Sequence, residues 1–233
     1  MRVALLISLA AASQLVACVQ TSQQATPQTD DEKALYSMGV MLADNLLGFD
    51  LTEQELVMVK AGLADGARQE SKIKPEDIEP LIPRIRELRN ERMTVALERE
   101  KATGSEHLAK AAAEAGAQQT ESGMGYKAVT EGSGASPSAD DTVRVHYEGR
   151  LVNGKVFDSS RERNEPAEFP LNGVIPCWTE GVQKMKVGGS AQLVCPPELA
   201  YGDQGSPPQM PGGATLIFEV ELLDITSNGA AAQ

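Results

Sequence analysis

The 233-residue sequence predicts an α+β protein: an N-terminal all-α helical arm with a long connecting helix, then an antiparallel β half-barrel wrapped on one short helix. Two observations carry this. Seven of the nine aromatic residues (Tyr126, Tyr147, Phe157, Phe169, Trp178, Tyr201 and Phe218) fall between positions 124 and 226, with most of the glycines. Residues up to about 121 are instead rich in Ala, Glu, Gln and Arg, a helical composition. The apolar period changes with composition, from three or four residues in the first half to two in the second. A third observation bears on partners: 33 acidic against 21 basic side chains give a net charge of −12, which argues against nucleic-acid binding.

Residues 1–17 read as a secretion signal. Arg2 supplies positive charge, Val3 to Ala12 form a short apolar run, and Leu15-Val16-Ala17-Cys18 places small residues before a cysteine. Ten or so apolar residues fall short of the roughly 20 that span a bilayer. Leu-Val-Ala-Cys resembles the lipobox of bacterial lipoproteins, which would make Cys18 the lipidated first residue of the mature chain. An ordinary cleaved signal with an incidental cysteine is the alternative. Residues 18–30, uncharged until Asp30 and rich in Gln and Thr, read as a flexible tether.

Residues 31–72 read as a helical dimerisation region. Leu35, Met38, Leu42 and Leu46 recur at helical spacing up to Gly48, a left-handed terminator. Thr52 and Glu55 form a capping-box pattern, and Leu56, Val59, Leu63 and Ala67 carry a second helix to about Gln69. Two helices this short carry more apolar surface than they can bury on each other, which favours self-association. Residues 73–120 read as a long connecting helix starting between Pro75 and Pro83 and running to about Ala117. Its apolar stripe thins after Leu88, so a solvated spacer and a coiled-coil-like seam both remain open.

Residues 121–227 read as the β-domain, with 228–233 as a tail. Val143, Val145 and Tyr147 alternate with polar residues, and Asn153-Gly154 is the pair of a type I′ hairpin. Ala191 to Cys195 and Leu216 to Ile225 are further strands. Trp178 to Met185 form the short helix, and the Pro and Gly density of 196–213 marks a long loop. The acid pair Asp140-Asp141 falls at a strand entry and Glu219/Glu221 on one solvent face, where charge is expected.

Five runs then become specific: Val156-Phe157-Asp158-Ser159-Ser160, Val174-Ile175-Pro176-Cys177-Trp178, Glu180-Gly181-Val182, Leu199-Ala200-Tyr201-Gly202 and Ala214 to Leu223. In this order they resemble the FKBP-type peptidyl-prolyl isomerases. The helical arm, long helix and secretion signal resemble the macrophage-infectivity-potentiator (Mip) and FkpA branch. The resemblance implies a five-to-six-stranded half-barrel and catalysis without cofactor or metal. Its catalytic residues would be Asp158, Trp178, Tyr201 and Phe218, with Tyr147, Phe157, Arg163, Phe169, Val174 and Ile175 binding substrate. The indole of Trp178 would be the floor under a proline ring. The Ile175 N–H and the Tyr201 hydroxyl would bond ligand carbonyls, and Arg163 would pair with Asp158. Implied partners are proline-containing unfolded or exported proteins, macrolides of the FK506 and rapamycin type, and a second copy of the chain through the N-terminal helices. The implied location is an exported protein of a Gram-negative-type bacterium, held to a membrane only by its lipid, with the outer membrane favoured. A chaperone or binding module with incidental turnover is the alternative. Ala167, where many members carry an aromatic, would open one wall of the pocket.

The chemistry suits such a pocket. Rotation about an X-Pro bond faces about 18–20 kcal/mol because resonance flattens the amide, so an enzyme need only bind the twisted bond better than the planar one. With two histidines, His107 and His146, neither a Ser-His-Asp triad nor a multi-His metal site assembles. Cys177 and Cys195 are the two thiols left once Cys18 carries lipid. They form either a disulfide or two separate buried side chains.

Overall fold

The structure is a computed structural model that describes residues 26–227. The signal, Cys18, the tether up to residue 25 and the tail at 228–233 lie outside the described residues. The chain divides after Ala43 into two units.

In the first unit, helix α1 (Asp30–Ala43) begins with Asp30, Asp31 and Glu32, whose charge suits the positive end of the helix dipole. Thr29 and Glu32 cap it reciprocally: the Glu32 N–H donates to Thr29 Oγ1 at 3.2 Å and the Thr29 N–H to Glu32 Oε2 at 3.0 Å. Its apolar residues Leu35, Met38 and Met41 are all more than half exposed.

The second unit starts with a 3₁₀ turn, Asp44–Leu46, and Gly48 is left-handed with φ +83°. Helix α2 (Glu53–Arg68) opens on the full Thr52/Glu55 capping box. Pro75 stands in the first turn of a four-residue helix, α3 (Pro75–Ile78), and Pro80 is absorbed in a 3₁₀ turn, Glu79–Leu81. The long helix α4 (Ile82–Ala112) therefore starts with Pro83 in its first turn, where no interior hydrogen bond is lost. It ends five residues before the Ala117 expected from composition. The Gly48–Asp50 loop and the start of α2 clip onto α4. Arg92 reaches both the Glu55 carboxylate and the Phe49 carbonyl, and Arg99 pairs with Asp50 at 3.0 Å. The hydrogen bond from Arg92, helped by Thr52, lowers the Glu55 carboxyl to about 2.

Seven strands, not five or six, form one antiparallel sheet: β1 (Ala117–Gln119), β2 (Gly125–Thr130), β3 (Thr142–Leu151), β4 (Val156–Ser159), β5 (Ala167–Pro170), β6 (Ser190–Cys195) and β7 (Leu216–Ser227). The order is β1-β2-β6-β7-β3-β4, and β5 shares an edge of β3 with β4. Sequence patterning missed β1, β2 and β5 because they are short and lack strict alternation. Helix α5 (Pro176–Gln183) lies in the concave face, starting two residues earlier than expected because Pro176 fits its first turn.

Two local readings are corrected. Asn153 does not adopt positive φ, so the hairpin is not type I′. The Gly154 N–H donates to the Leu151 carbonyl, Leu151 pairs with Lys155, and only Gly154 is left-handed, at φ +86°. That is a three-residue loop, in which one glycine absorbs the twist. Asp141 is more than the charge expected at a strand entry: it is 7% exposed, and its carboxylate accepts the Ser138 N–H at 2.7 Å. Its carbonyl accepts the Leu171 N–H, tying the start of β3 to the turn that leads into α5.

The outer face of the sheet is covered as well. Val194 of β6 and Ile217 of β7 are buried beneath Ala111 and Leu108 of α4. The last turns of α4 thus belong to the packing of the β-domain, and a boundary at residue 121 cuts through it. A chain of residues 121–227 is expected to be less stable than one of residues 96–227 by about 2 kcal/mol or more, the burial of one or two aliphatic side chains. Denaturant unfolding measures this, and equal midpoints and slopes would contradict it.

Candidate functional site

The concave face of the sheet and α5 converge on one indole. Val143, Val145 and Tyr147 alternate inward on β3, as do Phe218, Val220 and Leu222 on β7. Pro176 starts α5 so that Cys177, Trp178, Gly181 and Val182 face this surface, all buried. Thr179 Oγ1 donates to the Leu171 carbonyl at 2.6 Å and fixes the first turn of the helix.

Trp178 is 4% exposed and meets three rings at nearly right angles. Centroids lie 5.2 Å away for Tyr147, 5.6 Å for Phe169 and 5.4 Å for Phe218, with interplanar angles of 84–88°. Phe157 stands edge-on to Phe218 at 5.7 Å. Edge-to-face contacts set positive ring edges against negative faces and fix each ring more tightly than area burial alone. Gly149 makes room for them: a Cβ there would stand 2.6 Å from the Phe157 ring and 2.8 Å from that of Phe218.

A charged network closes one side. The Tyr147 hydroxyl donates to Asp158, Arg163 pairs with the same carboxylate, and Arg163 Nη2 donates to the Tyr147 hydroxyl at 3.1 Å. The guanidinium lies 5.8 Å from the Tyr147 ring centroid. Burial pulls the Asp158 carboxyl upward, but the Tyr147 hydroxyl and Arg163 outweigh it and leave it below the usual range. Burial, reinforced by Asp158, raises the Tyr147 phenol. Asp158 thus stays charged and Tyr147 stays a donor at neutral pH.

Three polar groups remain for a ligand. The Trp178 indole N–H is buried without a partner among the described residues. The Ile175 N–H, which precedes α5, donates to none of them. The Tyr201 side chain is 44% exposed. Apolar walls with a few unpaired donors are what a compact apolar ligand bearing carbonyls requires.

The structure brings together Tyr147, Phe157, Asp158, Arg163, Phe169, Trp178 and Phe218, and packs Val174 and Ile175 half-buried against the same core. Tyr201 makes none of the ring contacts. It stands on the loop after Leu199 and Ala200, which do pack on that core. Sequence reasoning missed Ser160. Its hydroxyl accepts the Tyr147 N–H at 2.8 Å and meets His146 Nδ1 at 3.0 Å, so it sets the backbone that aims Tyr147. The signal was its place at the end of the Asp-Ser-Ser run. No group of three or more His, Cys, Asp or Glu able to hold a metal occurs among the described residues.

Cys177 and Cys195 are joined as a disulfide, with Cα atoms 5.7 Å apart and both residues fully buried. The bond ties α5, one residue from the indole, to the end of β6.

Comparison with known proteins agrees with this geometry. Residues 134–223 match the family described as FKBP-type peptidyl-prolyl cis-trans isomerase, and residues 31–128 match the domain amino-terminal to it. The FKBP-type isomerase FkpA of Escherichia coli is 39% identical over 209 residues, covering 85% of this chain and 77% of that protein. A probable FKBP-type isomerase of Haemophilus influenzae is 39% identical, covering 93% of this chain and 95% of its own. The crystal structure of FkpA from Escherichia coli superposes with a TM-score of 0.63 at 38% identity, over 86% of this chain and 98% of that one.

The disulfide gives a direct test of how α5 is held. Cys177→Ala with Cys195→Ala is expected to lower unfolding stability by about 3 kcal/mol, the loop-closure value for a span of this length. Chemical denaturation measures it, and an unchanged stability would show that packing alone holds the helix.

Proposed function

The chain belongs to the FKBP-type peptidyl-prolyl cis-trans isomerases, and we propose that its isomerase site is the cup around Trp178, carried on an exported, lipid-anchored homodimer. The activity follows from the family: the protein interconverts cis and trans X-Pro bonds and assists protein folding. The reading of a binding module with incidental turnover is not favoured, because the relatives named above are isomerases.

The observation that carries the site is the convergence of three rings on one indole beside the Tyr147–Asp158–Arg163 network. A proline ring fits an aromatic cup by shape. Inside it the preceding carbonyl leaves water, which weakens the charge separation that keeps the amide planar. Donors placed for the rotated carbonyl, the Ile175 N–H and the Tyr201 hydroxyl, then favour the twisted bond. Each 1.4 kcal/mol of that preference gives about tenfold in rate, and no covalent bond to carbon need form or break. Asp158 and Arg163 hold the Tyr147 ring as a wall. The same cup would take FK506-type macrolides, which present a proline-like ring next to carbonyls.

The anchor rests on the Leu15-Val16-Ala17-Cys18 sequence and an export signal, with the outer membrane as its place. No helix among the described residues is long and apolar enough to cross a membrane. Dimerisation is supported by exposed apolar residues on each helix taken separately, Leu35, Met38 and Met41 of α1 and Val57, Met58 and Leu63 of α2, which a second copy would cover.

Asp158→Leu and Trp178→Leu are each expected to lower kcat/KM for a short prolyl peptide by about tenfold or more, and Tyr201→Phe by less. Unchanged kinetics in both of the first two would show that the cup is misplaced. The pH profile follows from the signs above. A carboxyl held low loses its contribution only as pH falls through that depressed value, and a phenol held high keeps its proton beyond its usual range. Peptide kcat/KM should therefore be flat from about pH 5 to pH 9, and a midpoint inside that window would contradict it. Light scattering should give a dimer mass for residues 19–233 and a monomer mass for 96–227. A monomeric longer chain at micromolar concentration would overturn the dimer.

A further inference from the structure

We propose that the middle of α4 is a positioning element of the isomerase site: Leu97, Lys101 and Gly104 fix the Tyr201–Gly213 loop, so that peptide binding in the cup depends on the connecting helix. The proposal rests on the cup around Trp178 being the site.

The loop is built to move as one body. The Gly213 N–H donates to the Gly202 carbonyl at 3.0 Å, the Gly205 N–H to the Tyr201 carbonyl at 3.1 Å, and Ser206 and Met210 exchange bonds of 2.9 and 3.0 Å. One side of it reaches the core, where Met210 and Ala214 are buried in the same cluster as Trp178. The other side rests on α4. A Cβ on Gly213 would stand 2.7 Å from Leu97 Cδ1 and 3.1 Å from Lys101 Cγ, so the loop's end lies flat on these two side chains. Lys101 Nζ pairs with Asp203 at 2.7 Å. One turn on, a Cβ at Gly104 would stand 2.1 Å from Thr215 Oγ1, and Thr215 is 2% exposed. Only a residue without a side chain lets the helix approach Thr215, the residue before β7, this closely.

These contacts bear on function because nothing among the ring contacts of the cup fixes Tyr201; its position comes from the loop. A half-exposed ion pair such as Lys101–Asp203 is weak by itself, so the packing at Leu97 and Gly104 carries the attachment and the pair sets its direction. The same helix holds α2 and the loop before it. Arg99, two residues from Lys101, pairs with Asp50, and Arg92 pairs with Glu55. A displacement of α2 would thereby reach the rim of the cup through a rigid element.

The test uses the full chain carrying Leu97→Ala with Lys101→Met, and separately Gly104→Ala, which lifts the helix without removing a contact residue. Amide hydrogen exchange across 201–213 and the KM and kcat for a short prolyl peptide are read together. Both variants are expected to exchange faster in 201–213, with β3 and β7 unchanged, and to raise KM at least about threefold with kcat nearly constant. Unchanged exchange in the loop, faster exchange throughout the sheet, or faster loop exchange with unchanged KM would each overturn the proposal. Failure of the site assignment shows differently, as silent Trp178→Leu and Asp158→Leu variants in the same assay.

Discussion

The burial of a single indole against three rings is the interaction on which the rest of the structure depends. Trp178 is the chain's one tryptophan, and Tyr147, Phe169 and Phe218, which close on it, come from three strands of the same sheet. Strand curvature, the missing side chain at Gly149 and the depth of α5 must all agree for the rings to meet edge-on. Removing a buried Trp commonly costs about 3–5 kcal/mol, because close-packed surroundings cannot collapse into the space. Around this contact the chain adds independent ties: the Cys177–Cys195 bond, the Thr179–Leu171 hydrogen bond and the Asp141–Leu171 link. The first two hold the first half of the helix that carries the indole, and the third holds the turn that leads into it.

The charged residues nearby play a supporting part. Asp158 has two partners, Tyr147 and Arg163, and the three groups orient one another. Asp158 and Arg163 are too exposed for their pairing to contribute much stability, so their value lies in direction rather than energy. Ser160 does the same work from behind, through the backbone of Tyr147. A reaction that only rotates a bond needs shape and a few fixed donors.

Much of this was legible in the sequence, for identifiable reasons. Strong signals are local and periodic: the alternation of β3, the capping box of α2 and the ordered motifs around Asp158 and Trp178. What escaped was set by distant partners. Strand β1 exists because its residues pair with β2, and nothing in Ala-Gln-Gln announces that. Asp141 reads as ordinary charge at a strand entry until Ser138 and Leu171 fold around it. Proximity of the two cysteines depends on how α5 lies against β6, which spacing cannot supply. The covered outer face of the sheet escaped because Val194 and Ile217 find their partners in a helix more than 80 residues earlier in the chain. Composition had placed that helix in the arm, whereas its last turns belong to the isomerase domain.

Helix α2 and the β-domain are therefore both tied to α4. Its first half takes the clip from Asp50 and Glu55, and its second half roofs the sheet. Ligand binding at the proposed Trp178 site can be read from the indole itself, since no other tryptophan contributes. Titrating FK506 into the full chain should change Trp178 emission saturably, with a Kd equal to the constant for inhibition of prolyl-peptide turnover. Inhibition without an emission change, or two constants that differ by about tenfold or more, would place the reaction elsewhere.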